Sequence, residues 1–296
     1  MFDTHCHLNF QAFDQNVDEI IKKAKEVDIS YITIPGTDIP TSKKAIAIAE
    51  KYDDVYAAVG VHPHHIASFV IPSAVEGSLA DASSNKLRDS SVVLDQIEEL
   101  LRNDKKGKVV AIGEIGLDRY LYTNTKYSQY TVDEKFIELQ KTFFVKQLEL
   151  AKEFGKSVIV HNREAKQDLL PLLREHWDSF FEQRMVFHCC EPDEELLEFA
   201  IQHRVLIGVD GDVTHNSSTG SEKRKFIKKV PLEMLVLETD SPFLIPEPLK
   251  SQKVFPNKPE NLKIIAEFVA KIRNESEEMI AKKTKENAKL LFKIDG

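Results

Sequence analysis

The sequence predicts an α/β protein of the (β/α)8 type, a TIM barrel, and three observations lead to this fold. Eight apolar runs rich in valine and isoleucine recur along the 296 residues, and segments with helical periodicity separate them. The runs are continuous rather than alternating, which is typical of parallel strands covered on both faces. The length suits one such barrel, so we expect a single domain over residues 1–296.

Each predicted strand is a short run rich in apolar residues. In order, the predicted strands are Phe2–Leu8, Ile29–Pro35, Val55–Val61, Lys108–Ile115, Ser157–His161, Arg184–Cys189, Val205–Val209 and Met234–Glu238. Between them, apolar residues recur every three or four positions, as on the buried face of a helix. The predicted helical segments are Val17–Val27, Ala45–Ala49, Val93–Leu101, Asp133–Phe154, Leu169–Trp177, Glu194–Gln202, Ser221–Lys229 and, broken near Asn274, Lys258–Phe292.

An open, doubly wound sheet is the alternative to a barrel. A dinucleotide-binding version of that fold would place a glycine-rich turn after its first strand, and the sequence has none there. Two aperiodic stretches, residues 68–91 and 119–131, look like insertions that follow strands. Both would overhang the C-terminal face of a barrel or form plain surface excursions.

Composition and charge limit the functional classes. The formal net charge is −8 at pH 7, whereas proteins that coat nucleic acid carry a broad basic surface. An enzyme that acts on a phosphodiester at a small site remains open, because bound cations would supply positive charge locally. The net charge therefore argues against a broad nucleic-acid-binding surface but does not identify the substrate.

Cysteine usage and hydropathy indicate the compartment. The three cysteines, Cys6, Cys189 and Cys190, have no regular spacing, so a reducing compartment is favoured over a disulfide framework. The first residues do not resemble a signal peptide, and no stretch approaches the roughly 20 apolar residues that span a bilayer. We expect a cytoplasmic protein without membrane segments and leave a nuclear location and the oligomeric state open.

Metal-binding side chains lie at the ends of the predicted strands. The first strand ends in His5-Cys6-His7, and because side chains alternate along a strand, the two histidines face the same way. The carboxyl ends of barrel strands converge on one mouth, where active sites lie. Six such residues converge there in the prediction: His5, His7, Glu114, His161, His188 and Asp240.

Each of these residues taken alone has a structural explanation. A histidine at a strand end can hydrogen-bond to the backbone, Glu114 can pair with a buried cation, and Asp240 can cap the turn that follows it. Packing does not explain why all six coincide at one mouth. Imidazole and carboxylate suit zinc, manganese or iron, and carboxylate with water suits magnesium.

The residue types favour two divalent ions. A carboxylate between two clusters can bridge them, which makes Glu114 the natural bridging ligand. We expect His5, His7 and Asp240 around one ion, and His161 with His188 around the other. Two adjacent ions can activate a water and stabilise the attacking and leaving oxygens at phosphorus.

The sequence resembles the TatD family of metal-dependent deoxyribonucleases, a branch of the amidohydrolase superfamily, over nearly its whole length. The motifs that carry the resemblance are Asp3–His7, Gly60–Pro63, Gly113–Asp118, Val160–Ala165, His188–Cys189, Leu237–Pro242, Asn257–Asn261 and Thr284–Ala288. The resemblance implies a (β/α)8 barrel in which the same six residues bind the metals. It also implies hydrolysis of DNA phosphodiesters, typically exonucleolytic and supported by magnesium.

The resemblance further implies roles for individual residues. Asp240 would orient or deprotonate the attacking water, and His62, with His64, would contact the scissile phosphate. Arg163, predicted one turn beyond His161, could clamp phosphate. The substrate would be DNA with single-stranded or frayed ends. A metal-dependent amidohydrolase, a small-molecule phosphoesterase and a scaffold with a vestigial metal site are the alternatives, since fold and ligands alone do not separate them.

Some positions depart from the family pattern or admit two interpretations. Asp210 and Asp212 follow the seventh strand, where a more neutral turn is common, and we expect them to face solvent. The basic run at Lys223–Lys225, with two further lysines, could line a DNA path, but we favour a solvated helix face. The loop tyrosines could stack on bases or simply pack the loop: Tyr120, Tyr122, Tyr127 and Tyr130.

Overall fold

Eight parallel strands lie side by side in the order in which the chain forms them. This is a computed structural model that describes residues 1–69, 85–123, 125 and 130–294. The strands are β1 (Phe2–Asp3), β2 (Tyr31–Pro35), β3 (Val55–Val59), β4 (Val109–Asp118), β5 (Ser157–Arg163), β6 (Met185–Phe187), β7 (Leu206–Val209) and β8 (Leu235–Leu237). The predicted (β/α)8 barrel is confirmed.

The first and last strands meet through the residues that follow them. The Thr4 backbone N–H donates to the Leu237 carbonyl at 3.1 Å, and the Asp240 N–H donates to the His5 carbonyl at 2.9 Å. These bonds bring the segment after β1 against the end of β8 and the residues that follow it. Residues from the two ends of the chain therefore share one side of the barrel mouth.

Helices follow the strands around the outside. They are α1 (Val17–Glu26), α2 (Ile39–Ala49), α3 (Asn85–Arg102), α4 (Glu134–Glu153), α5 (Lys166–Glu175), α6 (Glu194–His203), α7 (Ser218–Lys229), α8 (Leu262–Arg273) and α9 (Glu277–Phe292). Side-chain caps fix several starts: the Asp133 carboxylate, for example, accepts from the Phe136 N–H at 2.8 Å, as expected for an N-cap. The predicted break near Asn274 is a left-handed residue with φ 57°.

Four predicted boundaries near the site need correction. Strand β1 ends at Asp3 and not at Leu8, so His5 and His7 follow it, and Cys6 between them forms an isolated bridge to Ser241. Strand β4 continues to Asp118, so Glu114 lies within it and not at its end. Strand β5 continues to Arg163, so this arginine is a strand residue and not one turn beyond His161. Helix α3 begins at Asn85, which makes the last part of the supposed loop 68–91 helical; residues 70–84 lie outside the described part of the chain.

The interior of the barrel explains why polar residues gather at one end. Ile159, Val186 and Val236 belong to an inner apolar cluster that also contains Leu291 and Phe292 of α9. Two residues further along the same strands, on the same face, come His161, His188 and Glu238. The apolar layers thus occupy the lower barrel and the polar side chains occupy the mouth.

The expectation that Asp210 faces solvent is wrong. Asp210 is fully buried, and its carboxylate pairs with the ammonium of Lys223, which is itself buried. It also accepts from the Asp212 N–H at 2.7 Å and so caps a short 3-10 turn. Burial opposes charge on Asp210, but Lys223 outweighs it and holds the pKa of the carboxyl below its ordinary value. Lys223 is therefore a core residue and not part of a solvated face.

Breaking this pair is expected to destabilise the fold. Lys223→Met leaves the Asp210 carboxylate buried without its counter-charge, which costs about 3–5 kcal/mol of unfolding free energy. Urea denaturation measures the loss. Lys225→Met on the same helix removes an exposed charge and should change the unfolding free energy by less than about 0.5 kcal/mol. Equal midpoints for the two variants would contradict the structural role of the pair.

Candidate metal centre

His5 and His7 direct their rings toward each other at the barrel mouth. Their Nε2 atoms are 3.1 Å apart, while Cys6 between them packs into the outer core. The Pro35 carbonyl lies 3.2 Å from His7 Nδ1, so Nδ1–H donates there and leaves the Nε2 lone pair facing inward. Two carboxylates meet the pair: Glu114 Oε2 lies 3.4 Å from His5 Nε2, and Asp240 Oδ1 lies 3.4 Å from His7 Nε2.

Glu114 is the centre of the arrangement. Its Oε2 faces His5 and His7, at 3.4 and 3.6 Å from their Nε2 atoms. Its Oε1 faces the other side of the mouth, at 2.7 Å from His161 Nδ1, 3.4 Å from His188 Nε2 and 3.6 Å from His62 Nε2. One carboxylate thus contacts two imidazoles through Oε2 and three through Oε1. These two groups touch where the His188 ring stacks on His5, with centroids 3.6 Å apart.

Electrostatics follow from this crowding. Burial alone would raise the pKa of Glu114, but His62, His188 and His5 outweigh it and hold that pKa well below its usual range. Burial raises the pKa of Asp240 above its ordinary value. Burial also opposes charge on His161, yet Asp118 and Glu114 raise its pKa to about 10.

The mouth contains two outer carboxylates that the sequence analysis did not single out. Asp118 Oδ2 lies 3.1 Å from His161 Nε2 and accepts from the Tyr122 hydroxyl at 2.8 Å. Glu238 Oε2 lies 3.4 Å from His188 Nδ1. Glu238, the last residue of the predicted eighth strand, lies two positions before Asp240, so strand alternation would have identified it. Asp118 lies beyond the predicted end of the fourth strand.

The residues present fit a divalent cation. Four groups of three His, Cys, Asp or Glu ligand atoms lie within 4.8 Å of one another: His5–His188–Asp240, His5–His7–Glu114, His62–Glu114–His161 and His188–Cys189–Glu238. Within the described ranges, buried His5 Nδ1 has no hydrogen-bond partner. Imidazole nitrogens and carboxylate oxygens that lie this close together form the donor set expected for such an ion.

Of the residues predicted to contact phosphate, only His62 lies in the cluster. The His64 Nε2 atom is 3.0 Å from the Thr125 hydroxyl, and the His64 ring lies between Tyr122 and Tyr130, 4.6 and 4.7 Å from their centroids. The Arg163 guanidinium lies 3.8 Å from the centre of the Tyr120 ring and donates to the Tyr122 hydroxyl at 3.2 Å. His64 and Arg163 thus belong to a tyrosine cluster beside the centre. Tyr127 lies outside the described residues.

In the part of the chain that the structure describes, we find no helix with the length and apolar character that crossing a membrane requires.

Comparison with known proteins extends the resemblance. Residues 2–293 match the family described as TatD related DNase. The chain is 32% identical over 295 residues to the uncharacterized metal-dependent hydrolase YabD of Bacillus subtilis, with 100% of both chains covered. It is 30% identical over 296 residues to the 3'-5' ssDNA/RNA exonuclease TatD of Klebsiella pneumoniae, covering 100% of this chain and 98% of that one.

A solved structure agrees with the sequence comparisons. The crystal structure of YjjV, a TatD homologue from Escherichia coli K12, matches the fold with a TM-score of 0.79 at 28% identity, covering 100% of this chain and 98% of that chain. The family match spans almost the whole sequence and includes both ends of the barrel. The chain therefore belongs to the TatD family of metal-dependent hydrolases.

Proposed function

We propose that the protein is a deoxyribonuclease that hydrolyses DNA phosphodiester bonds, removing nucleotides from single-stranded or frayed ends. The observation that carries this proposal is the Glu114 carboxylate, whose Oε2 faces His5 and whose Oε1 faces His161. A relative with 30% identity is named as an exonuclease of single-stranded DNA and RNA, which supports the same substrate class. We propose further that residues 1–296 form one domain.

The metal ligands in this proposal are six residues. His5, His7 and Asp240 would hold one divalent ion, His161 and His188 the other, and Glu114 would bridge them. The contact of His62 with Glu114 places a further imidazole beside the second group. Magnesium would support activity, and zinc, manganese or iron would suit the histidines. When bound, two such ions polarise the phosphoryl group and stabilise the attacking and leaving oxygens.

Different residues of the chain would accept the proton and contact the phosphate. The Asp240 side chain is 15% exposed, against 5% for Glu114, so it is the carboxylate of the centre that opens toward a substrate. Its Oδ atoms would accept a proton from the attacking water. His62 would contact the scissile phosphate, and Arg163 and His64 would do so from the tyrosine cluster.

End-labelled single-stranded DNA tests the proposal. We expect shortening of the labelled strand with magnesium and none with excess chelator. Intact DNA, together with metal-dependent cleavage of a cyclic amide or a small phosphoester, would overturn it in favour of the amidohydrolase or phosphoesterase alternative. Binding of DNA that is insensitive to chelator and without turnover would favour a scaffold.

Weakening the support of His161 is expected to weaken metal binding. Asp118→Asn keeps the size of the side chain but removes the charge that orients His161, and the loss of such an outer partner lowers metal affinity about 10- to 100-fold. Calorimetric titration of the metal-free protein measures the change. Tyr122→Phe leaves the charge of Asp118 in place and removes the hydrogen bonds of the hydroxyl with Asp118 and Arg163, so a smaller loss is expected. An Asp118→Asn protein with wild-type affinity would refute this role.

A further inference from the structure

Two phenylalanine rings extend the metal centre on the side of His7. The ring of Phe10 stacks on the imidazole of His7, with centroids 4.3 Å apart and planes at 15°. Phe243 meets Phe10 edge to face, with centroids 6.2 Å apart and planes at 72°. The backbone N–H of Phe243 donates to the Asp240 carbonyl at 2.8 Å, which fixes this ring close to the centre. A continuous aromatic surface therefore runs outward from His7 to Phe243.

Phe243 is exposed although it lies close to the metal centre. Its relative exposure is 48%, among the highest of the large apolar residues described. Single exposed apolar residues are common on protein surfaces, but this ring lies three residues after Asp240. Phe10 meets it only edge to face, so much of the ring has no apolar cover. A ligand with a flat apolar face would supply that cover at the point where it reaches the metal centre.

The tyrosines across the mouth are already engaged. Arg163 covers one face of Tyr120 at 3.8 Å. The Tyr122 hydroxyl bonds to Asp118, and the Tyr122 ring contacts His64. Tyr130 contacts His64 and packs at 5.8 Å against Phe136. These rings stabilise their own loop, whereas much of the Phe243 ring remains accessible.

We propose that Phe243, supported by Phe10, is the stacking platform for the base of the nucleotide next to the scissile phosphate. The inference rests on the proposed nuclease function and adds a residue that recognises an unstacked base of the substrate. Every nucleobase has a π face, so stacking tolerates any sequence. Inside a duplex, neighbouring bases cover both faces. A base can reach Phe243 only where it is unstacked, so the platform selects single-stranded or frayed ends.

An abasic nucleotide tests the platform directly. For the wild-type enzyme, removing the base from the nucleotide at the cleavage position should lower kcat/KM by about tenfold or more. Phe243→Ala should show a similar loss on normal DNA and no further loss on abasic DNA, whereas Phe243→Trp should retain the dependence on the base. Leu290→Ala on α9, which removes a side chain of similar exposure, 43%, should behave as wild type.

Binding separates this inference from the nuclease proposal. In an Asp240→Asn background, fluorescence anisotropy should show weaker binding of the abasic oligonucleotide, and Phe243→Ala should abolish the difference. Cleavage of DNA with equal sensitivity to the abasic site in Phe243→Ala and wild type would overturn the platform and leave the nuclease standing. Base-dependent binding without cleavage by the wild type would overturn only the nuclease. If the protein neither cleaves DNA nor binds it in a base-dependent way, both proposals are overturned. Both are also overturned if turnover of an apolar small molecule depends on Phe243 while DNA is not a substrate.

Discussion

Replacing Asp240 by asparagine is expected to lower kcat/KM for DNA hydrolysis by about 10²–10⁴ while the barrel stays folded. The asparagine keeps the shape of the side chain but cannot accept a proton from the attacking water. The carboxylate lies 3.4 Å from His7 Nε2 and 3.6 Å from His5 Nε2, so the substitution also removes one negative charge from the first group of imidazoles. Steady-state digestion of labelled single-stranded DNA measures the loss.

Metal content decides which of the two roles of Asp240 dominates. If Asp240→Asn keeps two ions per chain by elemental analysis and still loses activity, the proton-accepting role accounts for the effect. If one ion is lost, its role as a ligand accounts for it. Asp212→Asn is a matched control, because Asp212 follows a neighbouring strand but pairs with His215 at 2.9 Å. Nuclease activity retained by Asp240→Asn would refute both roles.

Strand periodicity predicted most of the residues at the barrel mouth because inward-facing and outward-facing side chains alternate along every strand. Inside a parallel barrel, apolar residues alternate with outward-facing ones, and the inward series continues beyond the apolar layers. Ile159 and Val186 therefore identify the direction of His161 and His188 before any contact is known. The same rule brings residues far apart in the sequence to one mouth, which is why His5 and Asp240 could be associated.

The sequence was less informative where position depends on irregular backbone. The register between β4 and β5 shifts between Ile112 and Ile115, so the end of β4 could not be read from the apolar run, and Asp118 was missed. His62 was expected only at the phosphate, but the turn after β3 brings its ring to 4.3 Å from His161. Such turns are set by tertiary contacts and not by periodicity.

The buried ion pair between Asp210 and Lys223 could not be predicted from the sequence either. An aspartate after a strand and a lysine in a basic run both look solvent-facing by composition, because isolated charges are rarely buried. Only the packing of α7 against the barrel brings Lys223 to Asp210. The mutual pairing makes the burial of both tolerable, and neither residue alone carries a signal for it.

Glu114→Gln is expected to have the largest effect on metal binding. The amide is neutral and offers one oxygen where the carboxylate has two, so it cannot serve both groups of imidazoles. The affinity of both positions should fall by more than the about 10- to 100-fold expected for an outer partner such as Asp118. Elemental analysis after dialysis should find less than one ion per chain, and nuclease activity should be lost with the metal.

His161→Ala is the comparison that tests bridging. His161 Nδ1 contacts Glu114 Oε1 at 2.7 Å, whereas His5 and His7 approach Oε2. The alanine should therefore empty only the metal position of His161 and His188. A two-metal site would then keep about one ion per chain. A bridging carboxylate predicts this asymmetry between the two variants. Loss of a single ion in both would mean that Glu114 serves one position, and the other ion would then depend on His5, His7 and Asp240 alone.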